Sequence, residues 1–155
     1  MKHNKKGFTL IELLVVIAII GLLSTLSILA LNQARARARD AKRVADVKQI
    51  QTALELFYNE VGDYPASITV GSPIIATSTG NIYLAAVPAP PTPIDGSACP
   101  TTQLAYTYNK TGGVGGAQAG TASYTINYCL GATINTIRGN TLQTASPAGM
   151  TLIPN

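Results

Sequence analysis

Lys5-Lys6-Gly7-Phe8-Thr9-Leu10-Ile11-Glu12 opens directly into an apolar run that continues to Leu31. A basic leader, a glycine, an aromatic residue and one acid inside a membrane-length run form an unusual combination. Phe8 to Leu31 is 24 residues, or about 36 Å of helix at 1.5 Å per residue. The hydrocarbon core of a bilayer needs about 30 Å, so the segment is long enough to span with some tilt. A secretory signal peptide is the main rival reading. Its apolar region is shorter and ends at a small-residue cleavage site, whereas this run carries Glu12 and ends without a convincing Ala-x-Ala site. Ala34-Arg35-Ala36 has the letters but lies beyond the run, among arginines. An ionisable group at membrane depth costs about 2.5 to 3.5 kcal/mol near the bilayer centre and less towards an edge, which makes Glu12 a functional candidate. The plainer alternative is that Glu12 sits near the interface and snorkels to headgroups.

The helical pattern continues outward from this run. Val44, Val47, Ile50, Leu54, Phe57 and Val61 recur at steps of three and four, the apolar stripe of an amphipathic helix. Arg43, Asp46, Lys48, Glu55 and Glu60 fall largely off the stripe, and the helix carboxylates mostly read as ordinary solvated charges. Gly62 is a natural stop and Pro65 prevents resumption. One helix from Phe8 to about Val61 would be about 80 Å long. Its first half requires lipid or sister helices, and its second half has a stripe wide enough to carry a sheet.

The first residues resemble the type III signal sequence of type IV pilins and pseudopilins. The match is strongest from Lys5 to about Leu23. It continues more loosely through Ala34-Arg35-Ala36-Arg37-Ala38-Arg39-Asp40-Ala41-Lys42-Arg43 to Gly62-Asp63-Tyr64-Pro65. The resemblance implies that a prepilin peptidase cuts between Gly7 and Phe8 and that Phe8 becomes N-methylated. It also implies that Glu12 serves assembly, by pairing with the new Phe8 amine of a neighbouring subunit. Such a pair is stronger than in water, but desolvation offsets much of the gain, so it acts as a register device. The implied partners are identical or related pilin subunits, the peptidase, an inner-membrane assembly platform and, before assembly, the lipid bilayer. The implied location is the cytoplasmic (inner) membrane as a single-pass precursor, then a cell-surface or extracellular filament. Charge alone does not give this orientation, because Arg35, Arg37, Arg39, Lys42 and Arg43 outnumber Lys2, Lys5 and Lys6. In the family a glycine at Gly21 often begins a melted stretch that a proline ends. No proline lies between Phe8 and Val61 here, and close helix packing is the equal alternative for Gly21.

From Ala66 to Asn155 only Asp95, Lys110 and Arg138 are charged, far below the usual share of about 25%. Such a surface suits a subunit held in a filament better than a free, concentrated protein. Asn109-Lys110-Thr111 fits an N-glycosylation triplet, a pattern common by chance. Strands are expected at Asn81 to Val87, Leu104 to Asn109 and Ser123 to Leu130, with alternating Tyr106, Tyr108, Tyr124, Ile126 and Tyr128. A short final strand is expected around Leu142 or Leu152. Pro88 to Pro93 reads as a connector, and Gly112-Gly113-Val114-Gly115-Gly116 as a hairpin loop. The expected fold is α+β: a long N-terminal helix, membrane half plus amphipathic half, packed against a small antiparallel sheet, as in pilins. Its segments are a cleaved leader (1–7), a transmembrane and assembly helix (8–31), an amphipathic continuation (32–62) and a β-rich head (63–155).

Cys99 and Cys129 are the only cysteines. In an exported domain a disulfide is the leading reading, with two buried free thiols as the alternative. A zinc site lacks histidine partners, and no cofactor or metal is expected. His3 is the only histidine and would leave with the leader, so no histidine-based nucleophile activation is available and the chain is not read as an enzyme. Removing the leader lysines lowers the formal net charge of +4 to about +1. The basic run Arg35 to Arg43 fans around a helix and carries no interleaved aromatics, which disfavours direct DNA contact and points to headgroups or acids of neighbouring subunits.

The leading functional reading is a filament subunit for adhesion, motility or DNA uptake. The first alternative is a type II secretion pseudopilin. Major pseudopilins often use a carboxylate-rich C-terminal calcium loop, and no Asp or Glu follows Asp95 here. The second alternative is a membrane-anchored monomeric binding domain.

Overall fold

A computed structural model describes residues 7–93, 99, 105–113, 122–134, 137 and 139–152. The chain divides into two compact units, residues 1–35 and 36–155. One helix assignment, α1 (Leu10–Val61), runs through both. The described strands are β1 (Ile74–Ile75), β2 (Ile82–Leu84), β3 (Thr107–Thr111), β4 (Ser123–Leu130), β5 (Thr141–Ser146) and β6 (Gly149–Leu152). The class is α+β.

In the first unit α1 passes through Gly21 without a break, and every described residue to Arg35 is exposed. Ser24, Thr25 and Ser27 donate their hydroxyls to the carbonyls of Ile20, Leu22 and Leu23 at 2.7, 2.8 and 2.8 Å. The only hydroxyl groups between Leu10 and Leu31 are thus satisfied within the helix, as a segment surrounded by lipid requires.

In the second unit the stripe of α1 faces a core. Val47, Ile50 and Leu54 are fully buried together with Tyr124, Ile126 and Leu130 of β4 and Ala145 of β5. Burying one such aliphatic side chain contributes about 1.5 to 3 kcal/mol. The stripe ends one step earlier than expected, since Phe57 is buried whereas Val61 is exposed. Gly62 then closes the helix at φ +77°, donating its N–H to the Tyr58 carbonyl at 2.7 Å. That is the left-handed cap that glycine adopts without steric cost.

The larger sheet is an antiparallel meander, β3-β4-β5-β6. Tyr124, Ile126, Tyr128 and Leu130 point inward from β4, as the alternation predicts. Thr107 pairs with Asn127 and Leu130 with Thr141, which fixes the register on both sides of β4. A two-stranded sheet, β1-β2, lies earlier in the chain.

Several expectations change. The strand expected over Asn81 to Val87 is only Ile82–Leu84, with Val87 making an isolated bridge to Val70. The strand expected from Leu104 begins at Thr107 instead; Leu104 itself, and Val114 to Gly116 of the glycine loop, lie outside the described residues. Both suggested final strands exist, as the β5-β6 hairpin around Ser146-Pro147-Ala148-Gly149. Proline inside such a tetrapeptide, followed by glycine, is a turn signal.

Candidate assembly and processing site

Gly7, Phe8 and Thr9 are not helical, and α1 begins at Leu10. The start is set by two side chains. The Thr9 hydroxyl oxygen accepts the Glu12 N–H at 3.3 Å. In return Glu12 Oε2 accepts the Thr9 N–H at 2.9 Å and the Thr9 hydroxyl at 2.6 Å. This is a reciprocal capping box, Thr-x-x-Glu, which satisfies amides that the first turn leaves without partners. Capping is a role beyond the assembly or snorkelling expected of Glu12, and the Thr9-x-x-Glu12 spacing is its sequence signal.

Both Thr9 bonds fall on Oε2, and Oε1 has no partner among the described residues. A carboxylate offers about four acceptor positions. The capping box therefore holds the carboxylate in one orientation while leaving an oxygen open to a cation. Phe8 is 79% exposed, and the large apolar side chains from Leu10 to Leu31 are 45–81% exposed. Such a surface is incompatible with a free helix in water.

Two helix carboxylates expected in solvent, Asp40 and Asp46, lie inside the second unit. Asp40, Arg43 and Asp46 are buried, at 0%, 2% and 7% exposure. Arg43 pairs with Asp40 and donates from Nη2 to the carbonyls of Pro91 and Pro93, at 2.8 Å each. Asp40 also accepts the backbone N–H groups of Gly131 and Ala132, at 3.2 and 2.7 Å. One turn of α1 thus fastens the proline-rich connector and the end of β4. Later in that loop Gly139 packs so closely on Ala132 that an added Cβ would lie 2.0 Å from its carbonyl carbon. Cys99 and Cys129 form a disulfide beside the same region.

Further along α1, each acid accepts a tyrosine hydroxyl. Tyr106 donates to Asp46 at 2.9 Å, and burial, reinforced by that carboxylate, drives the Tyr106 hydroxyl well above its ordinary range. Tyr64 and Tyr124 donate to Glu55 at 3.1 and 3.2 Å, and burial first, then Glu55, raises both. Burial alone pushes Tyr128 up to about 12. Glu60 accepts from Tyr83 and Asn81; hydrogen bonds from Thr79, then Tyr83 and Asn81, hold its carboxyl below the usual range. Lys110 pairs with Asp63 at 2.8 Å. These acids are structural acceptors that bind the head to the helix.

A helix with a capped, fully exposed apolar first half and a sheet-covered second half defines a pilin-like α+β protein. Residues 2–28 match the family described as the prokaryotic N-terminal methylation motif. Among curated relatives, a fimbrial protein of Neisseria meningitidis is 31% identical over 87 residues, covering 56% of this chain and 51% of the relative. The type IV major fimbrial protein FimA of Dichelobacter nodosus is 42% identical over 55 residues, covering 36% and 35%. The type II secretion system core protein G of Aeromonas hydrophila is 33% identical over 66 residues, covering 43% and 46%. The chain spans about half the length, or less, of these relatives. No solved structure matches it.

Proposed function

We propose that this chain is a structural, non-enzymatic subunit of a type IV pilus-like filament. In this reading residues 1–7 are a leader cut between Gly7 and Phe8, with N-methylation of Phe8. Residues 8–31 are the membrane and assembly helix, 32–62 its amphipathic continuation and 63–155 the head. The observation that carries the reading is the methylation motif over residues 2–28, set against a helix whose apolar side chains from Leu10 to Leu31 are all exposed. The precursor resides in the membrane, and related subunits then pack against one another through these side chains.

Cleavage would create a positive amine on Phe8, four residues before Glu12. A subunit shifted along the filament axis brings its amine to a neighbour's Glu12. The capping box supports this role, because Oε2 is engaged by Thr9 while Oε1 is open. A type II secretion pseudopilin is the second reading, favoured by the similarity to core protein G.

Intact-mass and N-terminal peptide spectrometry on chain expressed with its native processing peptidase tests the proposal. A product beginning at methylated Phe8 is expected, and Gly7→Val should accumulate uncut precursor. A chain that keeps Met1 to Gly7 under these conditions would refute the pathway and favour an anchored monomer.

A further inference from the structure

We propose that Arg35 and Arg37 form a cationic collar that binds anionic phospholipid headgroups where the helix leaves the bilayer. The inference rests on the membrane reading of the apolar run. Between Asn32 and Lys48 the chain has two acids, Asp40 and Asp46. Both are withdrawn from the surface, at 0% and 7% exposure, and engaged by Arg43, backbone amides and Tyr106. Arg43 is buried with them. Arg35, Arg37 and Lys42 remain exposed. Among the described residues from 32 to 48, the exposed charges are therefore all cationic.

Position and spacing select the partner. Arg35 and Arg37 lie four and six residues beyond Leu31, about 6 to 9 Å of helix. The headgroup layer on each side of a bilayer is about 5 to 8 Å thick. Residues two apart differ by about 200° around a helix, so Arg35 and Arg37 point to opposite sides. That arrangement makes a poor flat face for a rod-like polyanion and suits lipid headgroups, which surround a spanning helix completely. The intervening Ala34, Ala36 and Ala38 leave the guanidinium groups uncovered. Each basic residue near an anionic surface strengthens binding by about five-fold. The effect decays within about 8 Å at physiological salt.

The full-length chain is reconstituted into nanodiscs of phosphatidylcholine alone, or of an equimolar mixture with phosphatidylglycerol. Native mass spectrometry of the released protein then reads the ratio of the two lipids retained. The comparison is with a variant carrying Arg35→Gln and Arg37→Gln. The leader lysines are common to both proteins and cancel. The expected result is phosphatidylglycerol enrichment at least about ten-fold greater for the parent chain, lost at high salt. Equal ratios in parent and variant would overturn the collar. So would an unchanged ratio accompanied by lost self-association, which would assign these residues to acids on a second copy. Failure of the parent chain to enter neutral nanodiscs would instead refute the membrane reading, and the collar with it.

Discussion

Asp40→Ala removes a buried α1 carboxylate that ties the helix to the loop after β4. Asp40 has no exposed surface, and its carboxylate serves Arg43 and the N–H groups of Gly131 and Ala132. Truncation leaves a buried guanidinium uncompensated and two backbone donors without their acceptor. Breaking a buried pair by removing one partner costs about 3 to 5 kcal/mol, a large fraction of the about 5 to 15 kcal/mol that holds a domain folded. At about 3 to 5 °C per kcal/mol for a unit of this size, the midpoint should fall by roughly 10 to 20 °C. Circular dichroism of the full chain in detergent should therefore show two events. The head should lose its strand signal early, while the helical signal of the apolar run persists. Asp40→Leu combined with Arg43→Met separates charge from shape. Removing both charges should recover much of the loss, giving a coupling of about 2 kcal/mol or more in a double-mutant cycle. A midpoint for Asp40→Ala within 2 °C of the parent would refute the clasp, since a solvated carboxylate contributes about that little.

Three further outcomes follow from the same contacts. Tyr64, Tyr106, Tyr124 and Tyr128 are buried with their hydroxyls raised by desolvation. Their contribution is whole below the unfolded value of about 10 and is lost as pH climbs towards the folded values, at about 1.4 kcal/mol per pH unit for each residue. The head should unfold cooperatively near pH 11 to 12, read as simultaneous tyrosinate absorbance and loss of strand signal; tyrosinate formation near pH 10 in an intact fold would refute it. Cys99 and Cys129 are 30 residues apart, and closing such a loop is worth about 3.5 kcal/mol in the chain-entropy model. Cys129→Ser should lower the denaturation midpoint accordingly, and an unchanged midpoint would show that the bond adds nothing. Glu12→Gln keeps the capping-box geometry but removes the charge, whereas Thr9→Val removes the cap and keeps the charge. If pairing with the Phe8 amine governs assembly, filament yield on electron-microscope grids should collapse for Glu12→Gln and fall only modestly for Thr9→Val; the reverse order would assign Glu12 to capping alone.

What the sequence made legible follows from how each feature is encoded. Gly62 and Pro65 mark the helix end, and Tyr124, Ile126 and Tyr128 mark β4, because backbone freedom and alternation are local properties. The buried acids were illegible for the opposite reason. Nothing near Asp40 says that Gly131 and Ala132 will donate to it from 91 and 92 residues away. Charge off the apolar stripe reads as solvent-facing by default, and only tertiary donors reverse that. β5 was faint because Thr141-Leu142-Gln143-Thr144-Ala145 carries few strand-forming apolar residues, and its inward positions are Gln143 and Ala145.

Glu12 is the instructive case between these extremes. Its capping role is written in the local spacing Thr9-x-x-Glu12, and its proposed assembly role in the surrounding Gly7-Phe8 junction and apolar run. The proposed pairing would not compete with capping, because Thr9 engages only Oε2 of the carboxylate. A carboxylate that only capped the helix could be replaced by glutamine at small cost, since the amide oxygen accepts the same bonds. A carboxylate that only snorkelled would not accept two hydrogen bonds from Thr9. Held in orientation by one oxygen, and with no partner at the other among the described residues, Glu12 would receive a cation along a defined direction. In the assembled filament the arriving cation would be the amine that cleavage at Gly7 creates.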